Sequence, residues 1–212
     1  MSCLSRGDSL LIWNLVQEIF PVIGSLKEFE KETMLSNFAP KWGCFDPAID
    51  YTVNHEHWEQ LEKSNEWENV VWNYYGGSIP AEQRLERSDV LRIFGPYFRS
   101  YFDGFAKKVY RRKFDKAEFT ALFLLLFFDS AYTNVSQNSA KMCENIRKTI
   151  LLELKGYQID NNHDELRFFE TLETVQLVER AEEKYQEEVM VCELYNVKLH
   201  DDFKKTMTER RI

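Results

Sequence analysis

The residues whose types could support chemistry lie at spacings that match no common catalytic or metal-binding pattern. His55-Glu56-His57 is the one histidine cluster, and a metal site would require further ligands at compatible spacing. The chain contains no GxSxG, HExxH or phosphate-binding loop. The cysteines form no CxxC pair, which indicates reduced thiols; they are Cys3, Cys44, Cys143 and Cys192. We therefore expect a protein that is not an enzyme and that holds no metal or cofactor.

The composition indicates one folded domain that does not itself contact nucleic acid. The 212 residues are 44% hydrophobic and 15% aromatic, which supplies ample surface for a core. No linker rich in Pro, Gly or Ser divides the chain, so residues 1–212 are expected to form a single domain. The formal net charge of −8 disfavours binding to phosphates, which requires clustered Lys and Arg. We expect neither a secretory signal nor a membrane-spanning segment.

The segment from Phe114 to Asp129, FDKAEFTALFLLLFFD, predicts a helix that is buried on every side. Asp115 and Glu118 stand at the spacing of a capping box, and Phe114 and Phe119 at the spacing of a hydrophobic staple. The residues that follow Phe119 are almost entirely apolar, so the helix offers no face to water. Such a helix requires helical neighbours on both sides, as in the central layer of a helical sandwich.

Apolar residues at intervals of three and four predict further helices along most of the chain. The predicted helices are 10–23 with a bend at Pro21, 26–42, 47–58, 89–112 with a break near Pro96, 116–128, 136–157, 165–195 and 199–207. Residues 67–80 differ, because Val70-Val71-Trp72 before Gly76-Gly77 is typical of a short strand or hairpin. The sequence thus predicts an all-α domain with a small hairpin near 67–80.

The order of these segments resembles the ligand-binding domain of nuclear hormone receptors. It is most similar to the divergent nematode set, the supplementary type derived from the hepatocyte nuclear factor. The resemblance covers most of the chain. The segments that carry it are Ile19–Leu26 with Glu30-Lys31 and Met34-Leu35, Asn37–Trp42, Lys113–Asp129, Ile146–Tyr157 and Leu166–Phe169.

The resemblance implies a three-layer antiparallel helical sandwich that regulates transcription in the nucleus, with the cytoplasm as a second location. It implies a cavity for a small lipophilic ligand such as a fatty acid or a sterol, although no residue of this chain is assigned to it. It also implies homo- or heterodimerisation with another nuclear receptor. A groove for helical coregulator peptides completes the set of expected partners.

The groove residues that the resemblance implies depart from the family pattern. When the chain is aligned on Pro21, the basic residue at the lip of the groove falls on Glu18, whose sign is wrong for the carbonyl end of a peptide helix. Lys31 is a substitute, with apolar Leu35 beside it and charged Glu32 on the floor of the groove. The last helix keeps an acid before an apolar residue, and the candidate groove is Lys31, Leu35, Asp201 and Phe203.

The long helix 165–195 carries the candidate dimer seam. Tyr185, Val189 and Cys192 follow one another at helical spacing, and the same spacing fits residues of an intramolecular core equally well. Acid pairs on this helix, such as Glu182-Glu183 and Glu187-Glu188, are expected on its solvated face.

Several alternatives remain open at the level of the sequence. The chain carries no module with eight zinc-binding cysteines, and it begins close to the third helix of the family pattern, with the first helix truncated or absent. It is then either a fragment or a short form that acts through partners. The alternative function is a receptor relative without DNA binding that sequesters other receptors and has no ligand. An unrelated helical scaffold or enzyme is the third class.

Overall fold

The computed structural model describes residues 6–64, 66–76, 85–132 and 134–195, and the regular elements in these ranges are helical. The α-helices are α1 (Arg6–Ile19), α2 (Glu28–Val53), α3 (His55–Lys63), α4 (Trp67–Gly76), α5 (Arg87–Tyr101), α6 (Lys107–Arg111), α7 (Lys116–Phe127), α8 (Gln137–Asp160) and α9 (Leu166–Leu194). A 3-10 turn at Pro21–Ser25 follows α1, where the bend was expected. The all-α class is confirmed. The predicted helix 199–207 lies outside the described residues.

The hairpin predicted near 67–80 is wrong for the residues that the structure describes. Helix α4 occupies Trp67–Gly76. Trp67, Val71 and Tyr75 are all buried, and their spacing of four residues places them on one helical face. The β-branched and aromatic side chains suggested a strand, but propensity is a weak signal once such a face can be buried.

Helix α2 replaces two predicted helices, 26–42 and 47–58, and runs through Pro40 and Pro47. Pro40 was expected inside the first of these helices, and the Asp46-Pro47 pair was expected to begin the second, because proline is favoured at the first position of a helix. Inside a helix a proline removes a backbone hydrogen bond. Burial on both sides of the prolines offsets this cost, because Phe38 and Phe45 on either side of Pro40, and Ala48 after Pro47, are fully buried. The next helix begins only at His55.

The predicted helix 89–112 is interrupted at a different place from the one expected. Helix α5 continues through Pro96, and the irregularity is a π-helical turn at Phe102–Ala106 before α6. Phe102 and Phe105 are buried in this turn. A π turn of this length inserts into a helix without ending it.

Helix α7 confirms the prediction for residues 116–128. The Asp115 carboxylate accepts from the backbone N–H of Glu118 at 2.9 Å, and the Glu118 carboxylate accepts from the N–H of Asp115 at 3.1 Å. The rings of Phe114 and Phe119 are 5.8 Å apart, as in a hydrophobic staple. The residues from Ala121 to Phe127 are buried without exception.

The described residues form two compact units. Unit 1 comprises residues 44–113 and 177–195, and unit 2 comprises residues 6–43 and 114–176. Helices α2 and α9 each contribute one part to either unit. Among the described helices, none has both the length and the apolarity that crossing a bilayer requires.

Candidate functional site

Lys31 and Leu35 lie one turn apart on α2, so their side chains leave the helix on the same face. The Lys31 ammonium is 3.3 Å from the carboxylate of Glu28 and 5.5 Å from the centre of the Trp13 ring on α1. Leu35 is half-buried. The Lys31 side chain thus extends from α2 towards α1, and the carboxylate of Glu28 compensates part of its charge.

Helix α1 beside Lys31 has both a buried and an exposed apolar surface. Ile12, Trp13 and Val16 are buried. The exposed apolar residues are between 43% and 68% exposed, and they are Leu10, Leu11, Leu15 and Ile19. Glu18 on the same helix is exposed. Apolar side chains exposed as a group are typical of a surface that binds another protein.

The remaining groove candidates, Asp201 and Phe203, lie outside the described residues. The half of the groove that a final helix would supply therefore stays a prediction. Lys31 and Leu35 are the two candidates whose positions the structure gives.

The dimer-seam candidates on α9 do not form one exposed surface. Val189 and Cys192 are 6% and 2% exposed and belong to the interior of unit 1. Tyr185 is half-buried. This arrangement favours the core alternative for Val189 and Cys192, because a side chain already covered by its own chain has little surface left for a partner. A dimer seam on α9 stays a prediction.

The expectation that the acid pairs of α9 are solvated is wrong for one member of each pair. Glu182 and Glu188 are buried, whereas Glu183 and Glu187 are exposed. Neighbouring residues in a helix point about 100° apart, so two adjacent acids can lie on opposite sides of the boundary between core and water. The three- and four-residue spacing of Glu188 from Tyr185 and Cys192 was the signal for its burial.

Glu188 is a buried carboxyl without a cationic partner among the described residues. The Tyr75 hydroxyl donates a hydrogen bond to it, and no described group donates to its Oε1 atom. Burial raises the pKa of Glu188 to about 7, although the bond from Tyr75 opposes that rise. This residue therefore exchanges a proton near neutral pH, a property that sequence reasoning missed.

Glu118 on α7 is also fully buried, but its charge is compensated. Its carboxylate accepts from Nε of Arg167 at 2.6 Å and from the side-chain amide of Gln158 at 2.8 Å. Burial raises the pKa of Glu118, but the bonds from Arg167 and Gln158 outweigh burial and bring the pKa below its usual value. The guanidinium also lies over the Phe114 ring, 4.6 Å from its centre.

Asp115, Glu118 and His163 form the group in the described residues that could hold a metal ion, with one ligand atom of each within 4.8 Å of the others. The carboxylate oxygens are already in use, because Asp115 accepts from the Tyr157 hydroxyl at 2.7 Å and Glu118 accepts from Arg167. A cation would have to compete with the Arg167 guanidinium. The geometry therefore fits a structural ion pair better than a metal site.

The histidine pair on α3 packs on aromatic rings. His55 stacks on Tyr110 with ring centres 4.7 Å apart, and His57 lies 6.3 Å from Trp58. His55 is half-buried and His57 is exposed. The stacking of His55 gives this residue a structural role.

The sequence that forms these helices is similar to known proteins over most of its length. The sequence model described as the ligand-binding domain of nuclear hormone receptor matches residues 1–195. This chain belongs to that family. The receptor domain is also 37% identical over 212 residues, its whole length, to nuclear hormone receptor family member nhr-150 of Caenorhabditis elegans.

The receptor domain spans 62% of the length of that relative. Family membership confirms the resemblance that the order of sequence segments indicated. The known role of nuclear receptors is the regulation of transcription, and the family is not one of enzymes. The nematode subtype stays a prediction.

Proposed function

We propose that this chain is the regulatory domain of a receptor that controls transcription in the nucleus by binding helical coregulator peptides across α1 and α2. The observation that carries the proposal is the exposed apolar surface of α1, with Leu10 and Leu11 53% and 68% exposed. The same helix contacts Lys31 of α2 through Trp13. An amphipathic peptide helix would bury its apolar face on this surface.

The charges around this surface favour a peptide with basic flanks. Glu18 and Glu32 are exposed, and Glu28 lies beside Lys31. An acidic lip repels the carbonyl end of a bound helix and attracts its N-terminal end or a Lys or Arg side chain. The receptor domain would therefore bind its coregulators with a charge preference opposite to that of a groove with a basic lip.

A peptide-binding experiment tests both parts of this proposal. Fluorescence anisotropy with leucine-rich helical peptides should show tighter binding of Lys-flanked than of Glu-flanked peptides by wild-type protein. Glu18→Lys should reverse this order, by about fivefold, because exposed charge pairs contribute up to about 1 kcal/mol. Leu35→Glu should abolish binding, while Leu152→Glu, which changes a residue on α8 that is 72% exposed, should leave it intact. Equal loss of binding in both Leu variants would contradict the location of the groove.

A second candidate function is a receptor relative that sequesters other receptors without a ligand of its own. It is favoured by the ring packing inside unit 1, where Tyr75 and Phe94 stack at 4.5 Å and Trp67 and Phe98 meet at 4.8 Å. Side chains that pack at this distance fill volume that a fatty acid or a sterol would otherwise occupy. For the first candidate function we also propose a lipophilic ligand and a dimer partner.

Native mass spectrometry separates the two candidates. A small apolar mass that is lost on denaturation would support the ligand-regulated receptor. A protein that carries no such mass, and that forms heterodimers when mixed with another receptor domain, would support sequestration. The same spectra report whether the chain forms homodimers.

A further inference from the structure

Glu188 connects the second half of α9 to α4 through a buried hydrogen bond with Tyr75. The residue is 7% exposed, and its one donor among the described residues is the Tyr75 hydroxyl. Tyr75 is itself held in place, because its ring stacks on Phe94 at 4.5 Å with an interplanar angle of 11°. A change of charge on Glu188 would therefore act on a rigid aromatic neighbour.

The groups that face Glu188 in the described part of the chain do not compensate a negative charge. On α4, Tyr75 donates to Glu188, and Tyr74 lies beside Tyr75 at 4.9 Å. On α9, the Cys192 thiol is one turn further on, and burial followed by the Glu188 carboxyl raises its pKa to about 12. On α5, the Tyr75 ring meets the uncharged rings of Phe94 and Phe98.

The basic side chains on these helices for which the structure gives partners are bonded elsewhere. Lys184 donates to the Ser100 hydroxyl at 2.8 Å. Arg92 donates to Asp89 at 2.9 Å and also bonds Tyr195. An ionised Glu188 would thus carry a buried negative charge with one neutral donor, an arrangement that strongly disfavours the packed state.

We propose that Glu188 is a proton-operated latch, which holds the second half of α9 against α4 when it is protonated and loosens that attachment when it is ionised. The carboxyl takes its proton from water and returns it to water, and no other bond is made or broken covalently. Burial places the pKa of this residue at about 7, so the latch works in the neutral range. The hydrogen bonds of Lys184 and Tyr195 lie at the exposed or half-exposed surface.

The latch lies close to the end of α9. Glu188 lies six residues before Leu194, where α9 ends, which corresponds to roughly 9 Å along the helix axis. Loosening the attachment at Glu188 would therefore free the last turns of α9 before the rest of the helix.

Hydrogen–deuterium exchange of the full chain tests the latch. After correction for intrinsic exchange rates, the protection of amides in residues 185–194 should fall about 30-fold between pH 5.5 and 8.5, the change expected for a carboxyl whose pKa moves from about 7 to 4.5 when the helix opens. Protection in α8 should change little. Glu188→Gln should remove the pH dependence, and Glu187→Gln, an exposed neighbour, should preserve it.

A further variant keeps the test decisive if Glu188→Gln folds poorly. Tyr75→Phe removes the one donor and should move the midpoint of the transition to higher pH, because the ionised form loses its hydrogen bond. A latch is ruled out if wild-type α9 shows no pH dependence, if Glu187→Gln abolishes it, or if it persists in Glu188→Gln.

Discussion

Both units of the molecule bury glutamates on their helices, and Glu118 in one unit and Glu188 in the other behave in opposite ways. Glu118 in unit 2 meets the Arg167 guanidinium and the Gln158 amide, and its pKa lies below the usual value despite burial. Glu188 in unit 1 has the Tyr75 hydroxyl as its donor, and burial raises its pKa to about 7. Burial alone therefore does not decide the charge of a carboxyl; the partners that the fold supplies decide it.

The same contrast sets opposite pH dependences for the two units. The contribution of Glu118 to stability is present above its unfolded pKa, near 4.5, and is lost as pH falls through the lower folded pKa. The contribution of Glu188 is present below 4.5 and is lost as pH rises through about 7. Acid therefore weakens the site around Glu118, whereas mild alkali weakens the site around Glu188.

The largest expected effect is at Arg167. Arg167→Met should lower the free energy of unfolding by about 3–5 kcal/mol at pH 7, because it leaves a buried carboxylate without its cation. Urea unfolding followed by circular dichroism measures this change. The double variant Arg167→Met with Glu118→Gln should recover part of the loss, since it removes the uncompensated charge. A loss below about 1 kcal/mol would show that the ion pair is a minor contributor.

The second effect has the opposite sign and depends on pH. Glu188→Gln should raise the free energy of unfolding by about 3 kcal/mol at pH 8.5, because the variant cannot ionise, and should change it little at pH 5. Urea titrations at the two pH values measure the difference. Glu187→Gln is the matched control and should stay within about 0.5 kcal/mol of wild type at both. Equal effects of Glu188→Gln at pH 5 and 8.5 would contradict the raised pKa.

The smallest of these effects concerns the cap of α7. Asp115→Ala removes an N-cap that accepts from the Glu118 N–H and from the Tyr157 hydroxyl. The expected cost is about 1–2 kcal/mol, at the upper end for caps because a second hydrogen bond is lost. Thermal unfolding should show it, and Asp115→Asn should retain most of the stability. Ser136→Ala, at the exposed cap of α8, provides the comparison.

The parts of the fold that depend on residues close together in the sequence could be predicted from the sequence. The capping box of Asp115 and Glu118 and the buried helix after it were predicted correctly, because the pattern lies within one short segment. Helix α4 and the passage of α2 through Pro47 were not predicted. In both, the burial of side chains by distant parts of the chain overrides a local preference for a strand or a break.

The candidate site was predictable to a smaller extent. Lys31 lies beside Trp13, and the groove that the resemblance implies there stays a prediction. The sequence did not indicate that Glu28 compensates Lys31 or that Arg167, 49 residues further along the chain, compensates Glu118. Ion pairs between distant residues have no sequence period. Glu188 was assigned to the solvated face of α9 because it is an acid in a charged segment, although its spacing from Tyr185 and Cys192 indicated burial.

The burial of the cysteines makes the two units separately visible to chemical labelling. Cys143 in unit 2 and Cys44 and Cys192 in unit 1 are 2–3% exposed, and burial raises the pKa of Cys143 to about 11. An alkylating reagent attacks the thiolate of an accessible cysteine, so each of these thiols should react only while its surroundings are open. With Cys3 replaced by serine, the alkylation rate of Cys143 would measure how often unit 2 opens, and the alkylation rate of Cys192 would measure how often unit 1 opens.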